Sequence, residues 1–173
     1  MGLIMEIQID TREKKKELER IEAQFDKLGI KHFRSKLFCG DYMSLDNAKL
    51  VIDRKQDLNE VCTNICQQHE RFRAELTRAK EMDIKIIILI EQGDLKRLED
   101  VYFWENPRAK PSRWIMKDGH PTKVPESPKA VNGPQLYKAL CTMQERYDVS
   151  YAFCSKRETG KKIFELLGGE IDA

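Results

Sequence analysis

The chain has 173 residues, a length that fits one domain with a core large enough to fold without a disulfide or a structural metal. Charged residues make up 35% of the sequence, but 31 Lys and Arg against 29 Asp and Glu leave a net charge of only +2. A uniformly basic nucleic-acid-binding protein is therefore excluded, and any affinity for nucleic acid must come from local clusters of positive charge.

Cysteine usage and hydropathy indicate a cytoplasmic protein that does not associate with membranes. Cys62 and Cys66 are four residues apart, as on a buried helix face, and the five cysteines include no CxxC pair typical of a metal site. We expect reduced thiols in the core. No apolar run approaches the ~20 residues of a membrane-spanning helix, and the start of the chain is too polar for a signal peptide.

The first part of the chain predicts a strand, a helix and a small antiparallel meander. Apolar residues alternate from Leu3 to Ile9, which is the period of a strand with one buried face. A helix capped by Thr11 and stopped by Gly29 follows, because apolar residues recur between them every three or four positions. Between Lys31 and Lys55, turn residues separate short apolar stretches that fit the strands of a meander.

Helices and strands then alternate. Helical stripes at 58–65 and 72–82 precede a nearly continuous apolar run from Ile84 to Ile90, which is typical of a central strand covered on both faces. At about 105–133 the periodicity is lost and prolines accumulate, which predicts an exposed loop insertion. Three regular elements complete the chain: a helix at about 135–147, a strand at 149–154 and a helix at 161–167.

This order of elements predicts an α/β fold in which helices flank both faces of a mixed central sheet. No internal repeat is visible, and we expect a single domain spanning 1–173, with the loop insertion as its one irregular segment.

Charged residues around two of the predicted strands indicate a catalytic site. Asp53 and Lys55 are two residues apart on one strand, so their side chains point to the same face, and a turn returns Asp41 toward them. Close carboxylates repel each other unless a cation such as Mg²⁺ binds both. A structural ion pair between Asp53 and Lys55, with Asp41 in an ordinary turn, is the alternative, and spacing alone favours it.

A metal ion at this position would lower the pKa of a bound water and stabilise charge on a phosphate. Lys55 could then orient or deprotonate the nucleophile. The reaction that matches this set of residues is phosphodiester hydrolysis.

Several motifs together resemble those of the XPF-type structure-specific endonucleases. They are Asp10-Thr11-Arg12-Glu13, Gly40-Asp41-Tyr42, Asp53-Arg54-Lys55, and Arg71-Phe72 ahead of a helix and an apolar strand. The resemblance covers roughly 4–167. It implies a restriction-endonuclease-like fold, Mg²⁺ or Mn²⁺ as cofactor, and cleavage of branched, flap or fork DNA in repair, recombination or replication. The chain resembles the small standalone members of this family that bacteria and phages carry.

The resemblance also implies roles for individual residues. Asp41 and Asp53 bind metal, and Lys55 serves the nucleophile. Three further catalytic-site residues are implied: Arg54 as part of the motif strand, and Asp10 and Arg12 at the border of the site. Glu13 is a weaker candidate, because a Glu in the first turn of a helix also stabilises the helix dipole.

Two positions depart from the family pattern. Asp53 stands where the family usually has Glu, which is a mild chemical change. Asn59 stands where a later acid is expected, and either Asp57 or Glu60 is a candidate to replace that acid. For Asn59 itself we expect a role as the cap of the next helix.

Basic and aromatic residues of the 105–133 loop are candidates for DNA contact, since cations track phosphates and an indole stacks on an unpaired base. The candidate DNA-binding residues are Arg108, Lys110, Arg113 and Trp114 in the loop, and Arg71 ahead of it. The alternative is a solvated insertion whose tryptophans cover the edge of the core, and the sequence does not distinguish the two.

Two classes of function remain open: a metal-dependent endonuclease, and a non-catalytic DNA-binding or scaffolding subunit that the amide of Asn59 would suit. Linear duplex ends and Holliday junctions are alternative substrates. Larger relatives carry a helix-hairpin-helix module and act as dimers. Because nothing after Leu167 encodes that module, we expect either homodimerisation through the domain itself or recruitment by another protein.

Overall fold

A six-stranded mixed sheet forms the centre of the computed structural model, which describes residues 4–171. The strands are β1 (Glu6–Ile9), β2 (Lys31–Arg34), β3 (Tyr42–Ser44), β4 (Asn47–Lys55), β5 (Lys85–Ile90), β6 (Pro111–Lys117), β7 (His120–Pro125) and β8 (Ser150–Phe153). The helices are α1 (Lys15–Lys27), α2 (Leu58–Cys66), α3 (His69–Glu81), α4 (Gly133–Tyr147) and α5 (Thr159–Leu166), with 3₁₀ turns at Leu98–Phe103 and Pro107–Ala109. The order of strands in the central sheet is β2-β1-β3-β4-β5-β8.

Helices cover both faces of this sheet, because alternate residues of its central strands are apolar on each side. Val51 and Ile88 pack with α2, α3 and α4 on one face, whereas Ile52 and Leu89 pack with α1 and α5 on the other. β5 lies between β4 and β8 and pairs with both in parallel. The predicted α/β fold with a mixed, doubly covered sheet and a central apolar strand is confirmed.

β2 contradicts the prediction of an antiparallel meander. It pairs in parallel with β1 at the edge of the sheet, while β3 and β4 form an antiparallel hairpin. The amphipathic helix α1 connects β1 to β2 and returns the chain to the same end of the sheet, which is the connection that two parallel strands require. The predicted opening strand is shorter than expected, and its residue Leu3 lies outside the described part of the chain.

Both predicted helix caps are wrong. α1 begins at Lys15 with Lys14 as its N-cap, because the residues from Asp10 to Glu13 form a separate turn held by the Asp10 carboxylate. In α2 the cap is Asp57, whose side chain accepts a hydrogen bond from the Glu60 N–H at 2.8 Å. Asn59 lies inside the helix.

The segment 105–133 contains an antiparallel hairpin, β6–β7, where an irregular loop was predicted. Its turn is Asp118-Gly119, with φ of 50° and 79°, which is the geometry that two-residue hairpin loops favour. All β6 residues are exposed. Because neither face of the hairpin is buried, its strands carry no apolar alternation from which they could be recognised.

Thiols are distributed between the core and the surface. All five cysteines are free; Cys39 and Cys154 are buried, but Cys66 is exposed, contrary to the expectation for a buried helix face. Among residues 4–171, no helix combines the length and the apolar character needed to cross a membrane.

A side chain at Gly40, in the turn that leads into β3, should destabilise the protein more than a side chain at Gly29. Both have φ near 70°, but a Cβ at Gly40 would lie 3.0 Å from Val51 Cγ2 and 3.1 Å from the Ile52 oxygen, whereas Gly29 faces open space. We expect Gly29→Ala to cost about 1–2 kcal/mol of unfolding free energy from backbone strain, and Gly40→Ala about 1–3 kcal/mol more from overpacking. Urea denaturation of both variants measures this, and equal losses would contradict the steric argument.

Candidate active site

The turn before β3 fixes Asp41 beside the end of β4. The Asp41 N–H donates to the Ile52 carbonyl at 2.7 Å, and the Asp41 carbonyl accepts from the Asp10 N–H at 2.8 Å. The Asp41 carboxylate accepts from the Arg54 backbone N–H at 2.7 Å, so it takes the place of a backbone acceptor at the point of β4 where β3 has not yet begun. The Asp41 backbone is therefore fixed by Asp10 and by β4, and its carboxylate is fixed by β4.

β4 directs Asp53 and Lys55 to the α2–α3 face of the sheet, as strand alternation predicts. Lys55 Nζ lies 3.1 Å from Asp53 Oδ2 and donates to Asn64 Oδ1 of α2 at 3.1 Å. The same ammonium is 5.0 Å from the centre of the Phe72 ring, within the range of a cation–π contact. Asp53 and Lys55 are only 6% and 7% exposed, so their positions are tightly constrained.

The charges of this cluster change the ionisation of its members. Burial raises the pKa of Asp41 well above its ordinary value, and the negative charges of Asp53 and Glu13 raise it further. Burial acts to lower the pKa of Lys55, but the charges of Asp53 and Asp41 outweigh it, and the pKa is raised. Lys55 is therefore a cation at neutral pH, and the carboxylates are in excess around it.

The two aspartates fit a hard divalent cation. A positive ion bound by both would offset the burial and the carboxylate repulsion that raise the pKa of Asp41, and their oxygens are ligands that Mg²⁺ and Mn²⁺ accept. No cluster of three or more His, Cys, Asp or Glu side chains suited to a metal occurs within residues 4–171. The other ligands would therefore be waters, backbone carbonyls or phosphate oxygens, as is usual for Mg²⁺.

A polar cleft of about 390 Å³ opens above this cluster. Asp41, Asp53 and Lys55 contribute to its lining, together with α2 and α3 residues. Four basic side chains also line it: Arg12, Lys14, Arg71 and Arg78. The cleft thus combines an acidic, cation-attracting centre with basic groups suited to a polyanion.

Asp10 and Arg12 border the cleft as expected, but they are engaged with each other. Arg12 Nε donates to Asp10 Oδ2 at 2.7 Å, and the Leu37 N–H donates to Asp10 Oδ1 at 2.8 Å. Burial alone would raise the pKa of Asp10, but these hydrogen bonds lower it on balance. Asp10 therefore orders the turn after β1, and Arg12 stays half-exposed at the rim.

Arg54 does not enter the cleft; its guanidinium points to the opposite face of the sheet. It binds Glu13 through Nε at 2.9 Å and Nη2 at 2.8 Å, and it also donates to Glu91. Glu91 has no exposed side chain and is bound by Arg20 and Thr159 as well. Burial acts to lower the pKa of Arg54, but Glu13 and Glu91 outweigh it and raise the pKa. Glu13 lies before the first residue of α1, and its carboxylate binds Arg54.

The α2 residues considered for the missing acid lie in different surroundings. Asp57 is occupied as the helix cap. Glu60 lines the cleft, and its carboxylate accepts from the Gln56 N–H at 2.6 Å. Asn59 lies on another side of α2, in a groove shared with residues 106–131. Of these three residues, Glu60 is the one beside the cluster.

Cleft residues of α3 were missed by the sequence analysis. Glu75 accepts a hydrogen bond from the Gly40 N–H at 3.1 Å, and Gln68 and Arg78 line the cleft beside Arg71. The signal was present, because these four polar residues recur at intervals of three and four, which places them on one side of a helix.

The candidate DNA-contact residues fall in separate places. Arg71 is at the cleft, and Arg108 lies in the groove beside α2. Lys110 is ahead of β6 and pairs with Glu105 at 2.6 Å. Arg113 and Trp114 are on β6. The structure therefore brings Arg71 alone of this set to the Asp41, Asp53 and Lys55 cluster.

Comparison with known proteins gives one family and one fold. Residues 9–166 match the family model described as the ERCC4 domain. The structure resembles XPF from Aeropyrum pernix with a TM-score of 0.61 at 16% identity, and XPF from Aeropyrum pernix in complex with DNA with a TM-score of 0.59 at 17% identity. Both matches cover 94% of this chain but 63% of the solved chain, so it spans less than two thirds of these relatives. No curated protein matches significantly.

Removing the Arg54 guanidinium should destabilise the protein far more than removing an exposed one. Arg54→Gln leaves Glu13 buried without its cation and Glu91 with Arg20 as its remaining cationic partner, which costs about 3–5 kcal/mol of unfolding free energy. The control is Arg34→Gln, which breaks a surface pair with Glu22 at 2.6 Å and should cost far less, because solvent screens an exposed ion pair. Urea denaturation measures both, and a loss for Arg54→Gln as small as the control's would show that the network is dispensable.

Proposed function

Because the chain belongs to the ERCC4 domain family, we propose that it is an Mg²⁺- or Mn²⁺-dependent DNA endonuclease that hydrolyses phosphodiester bonds. The observation that carries the proposal is the convergence of Asp41, Asp53 and Lys55 on a cleft that basic side chains also line. One of the solved relatives was determined as a complex with DNA, which supports DNA as the polymer. The substrates we propose are branched, flap and fork structures, as in repair, recombination or replication.

The basic residues of the cleft would hold the phosphate backbone. Arg71 and Arg78 are exposed on α3, and Lys14 is exposed at the start of α1, so a strand lying across the cleft meets cations from two helices. Such contacts position a nucleic acid without reading its sequence. This arrangement favours recognition of DNA shape over recognition of base order.

In the proposed reaction, Asp41 and Asp53 would hold a divalent ion. Such an ion would supply a water molecule of lowered pKa and positive charge beside the scissile phosphate. Lys55 keeps its proton, orients the nucleophile and stabilises the charge that develops on the phosphate oxygens. Glu60 adds a further acid beside the centre, and the Arg54 network holds β4 so that Asp53 and Lys55 keep their spacing.

A non-catalytic DNA-binding or scaffolding subunit is the competing function. The sequence feature that suited it, the amide of Asn59, lies in a groove away from the cleft, whereas Glu60 lines the cleft. The aspartates and the lysine of the cluster are all present. These placements support catalysis over scaffolding.

Metal dependence should be visible both in stability and in cleavage. A ligand that binds only the native state at 100 times its Kd adds about 2.7 kcal/mol, so Mg²⁺ or Mn²⁺ should raise the Tm of the apo protein, and EDTA should reverse the rise. Cleavage of labelled flap, fork, Holliday-junction and linear duplex DNA should stop in EDTA. Undiminished cleavage in EDTA would exclude the proposed mechanism, whichever substrate is preferred.

Asp53→Asn should separate catalysis from folding. The amide keeps the shape of the side chain but loses the ligand charge, so the metal-induced rise in Tm should disappear and single-turnover cleavage should fall by roughly 100-fold or more. DNA binding should persist, because a negative charge near the phosphate has been removed. Asp46→Asn, the same change at an exposed turn outside the cleft, is the matched control and should behave as wild type.

Lys55→Met distinguishes a cation that acts on the substrate from a partner in a structural ion pair. Cleavage should fall by about 100- to 1,000-fold, while metal binding is retained better than in Asp53→Asn, since an ammonium is not a ligand. A purely structural pair predicts the reverse: a lower Tm for both variants, with near wild-type turnover by the protein that remains folded. That result would remove the assignment of both residues.

A further inference from the structure

The β6–β7 hairpin projects large side chains that nothing in the described chain covers. Trp114 is 67% exposed and Met116 is 69% exposed, although both belong to a regular strand. A two-stranded ribbon buries little apolar area and is only marginally stable by itself. Exposed aromatic and apolar side chains grouped on such a ribbon indicate a binding surface.

The two faces of the hairpin carry different chemistry. Trp114 is opposite Lys123, and Met116 is opposite Pro121, so these four side chains share one face. Lys123 Nζ lies 5.9 Å from the centre of the Trp114 ring. The other face carries a mixed and more basic set: Arg113, Ile115, Lys117, His120, Thr122 and Val124. One face thus offers a flat ring beside a cation, and both faces carry positive charge.

Positive charge is concentrated in this segment. Residues 107–129 contain six Lys or Arg and two Asp or Glu, a formal net charge of +4, whereas the whole chain carries +2. Arg108 and Lys110, at the base, have carboxylate partners. Within residues 4–171, Arg113, Lys117 and Lys123 form no salt bridge, so their charges are available to a polyanion.

α2 separates the base of the hairpin from the active-site cleft. Arg108 and Lys129 share a groove of about 160 Å³ with Asn59 and Cys66 of α2. Another side of the same helix contributes Glu60 and Asn64 to the cleft. A helix is about 10 Å across, the length of about three stacked nucleotides. A DNA strand that continued from the cleft past α2 would therefore reach the base of the hairpin within about three nucleotides.

We propose that the β6–β7 hairpin is a DNA-binding arm in which the Trp114 ring stacks on an unpaired base, while Lys123 on the same face and Arg113 and Lys117 on the opposite face contact phosphates. The inference rests on the proposed nuclease function and adds a second contact to it, outside the cleft. Stacking on an aromatic ring is tolerant of sequence, because every base has a flat face. The arm therefore selects DNA that has unpaired nucleotides near the bond to be cut.

The stacking contact can be tested by fluorescence, because Trp104, the other tryptophan, is only 8% exposed. Titration of the full chain with oligothymidylate in EDTA should quench the emission of Trp114. Trp114→Phe should abolish the quenching but keep most of the affinity, since a ring remains. Trp114→Leu, which is apolar but has no ring, should bind about 5- to 150-fold more weakly.

The phosphate contacts have a separate measurement. Each phosphate neutralised on a single strand contributes about 0.7 to the dependence of log K on log salt, so Arg113→Gln with Lys117→Gln should reduce that slope by about 1.4. Lys27→Gln with Lys31→Gln, exposed residues outside the hairpin and the cleft, remove the same charge and should leave the slope unchanged.

If Trp114→Leu bound oligothymidylate with wild-type affinity and showed wild-type quenching, the proposal of a DNA-binding arm would be overturned. An unchanged affinity together with a shift from dimer to monomer in sedimentation would overturn it as well, and would identify the hairpin as an interface between copies of the chain. Failure of the arm differs from failure of the nuclease. If the hairpin variants bind normally and the wild type cuts DNA, only the arm is wrong. If quenching depends on Trp114 but the wild type cuts no DNA, only the nuclease is wrong.

Discussion

The charged end of β4 must be neutralised on both faces of the sheet at once. Asp53, Arg54 and Lys55 are each less than 10% exposed, so each has left water and needs a partner to repay the loss of hydration. Their partners come from distant parts of the chain: the turn after β1, the turn before β3, the residue after β5 and the helix α2. These segments can meet only if the whole sheet and both of its helical layers are correctly assembled. The charged end of β4 can therefore be buried only in the complete fold.

The buried charges are paired differently on the two faces of the sheet. Around Arg54, cationic side chains hold both carboxylates by hydrogen bonds, because Arg54 binds Glu13 and Glu91 and Arg20 also binds Glu91. Around Lys55 the pairing is incomplete, because two aspartates face one ammonium and the pKa of Asp41 is raised. An excess of buried negative charge is costly unless a cation is supplied from solution. The proposed metal site therefore lies on the face where burial and the neighbouring carboxylates raise the pKa of Asp41.

The parts of this arrangement that depend on local pattern could be predicted from the sequence. Alternation along β4 was enough to place Asp53 and Lys55 together, and the apolar run of β5 was enough to place that strand inside the sheet with both faces covered. Pairings over long distances were not predictable: Glu91 follows Arg54 by 37 residues, and nothing local connects them. The parallel position of β2 depends on α1 packing against the sheet. The β6–β7 hairpin was not predicted, because apolar alternation along a strand depends on one buried face, and neither face of this hairpin is buried.

The position of α2 gives the site a physical link to the hairpin. On one side of the helix, Asn64 accepts a hydrogen bond from Lys55; on another, Asn59 borders the groove that holds Arg108 and Lys129. A carboxylate at Asn59 would offer those two basic residues a competing anionic partner, whereas the amide adds no charge. The Asn59 side-chain oxygen is buried without a hydrogen-bond partner among the described residues, which costs about 1–3 kcal/mol. Asn59 therefore differs from the family pattern on the side of α2 that faces residues 106–131, not on the side that lines the cleft, and its amide leaves the negative charge of Glu126 as the partner of Arg108 in that region.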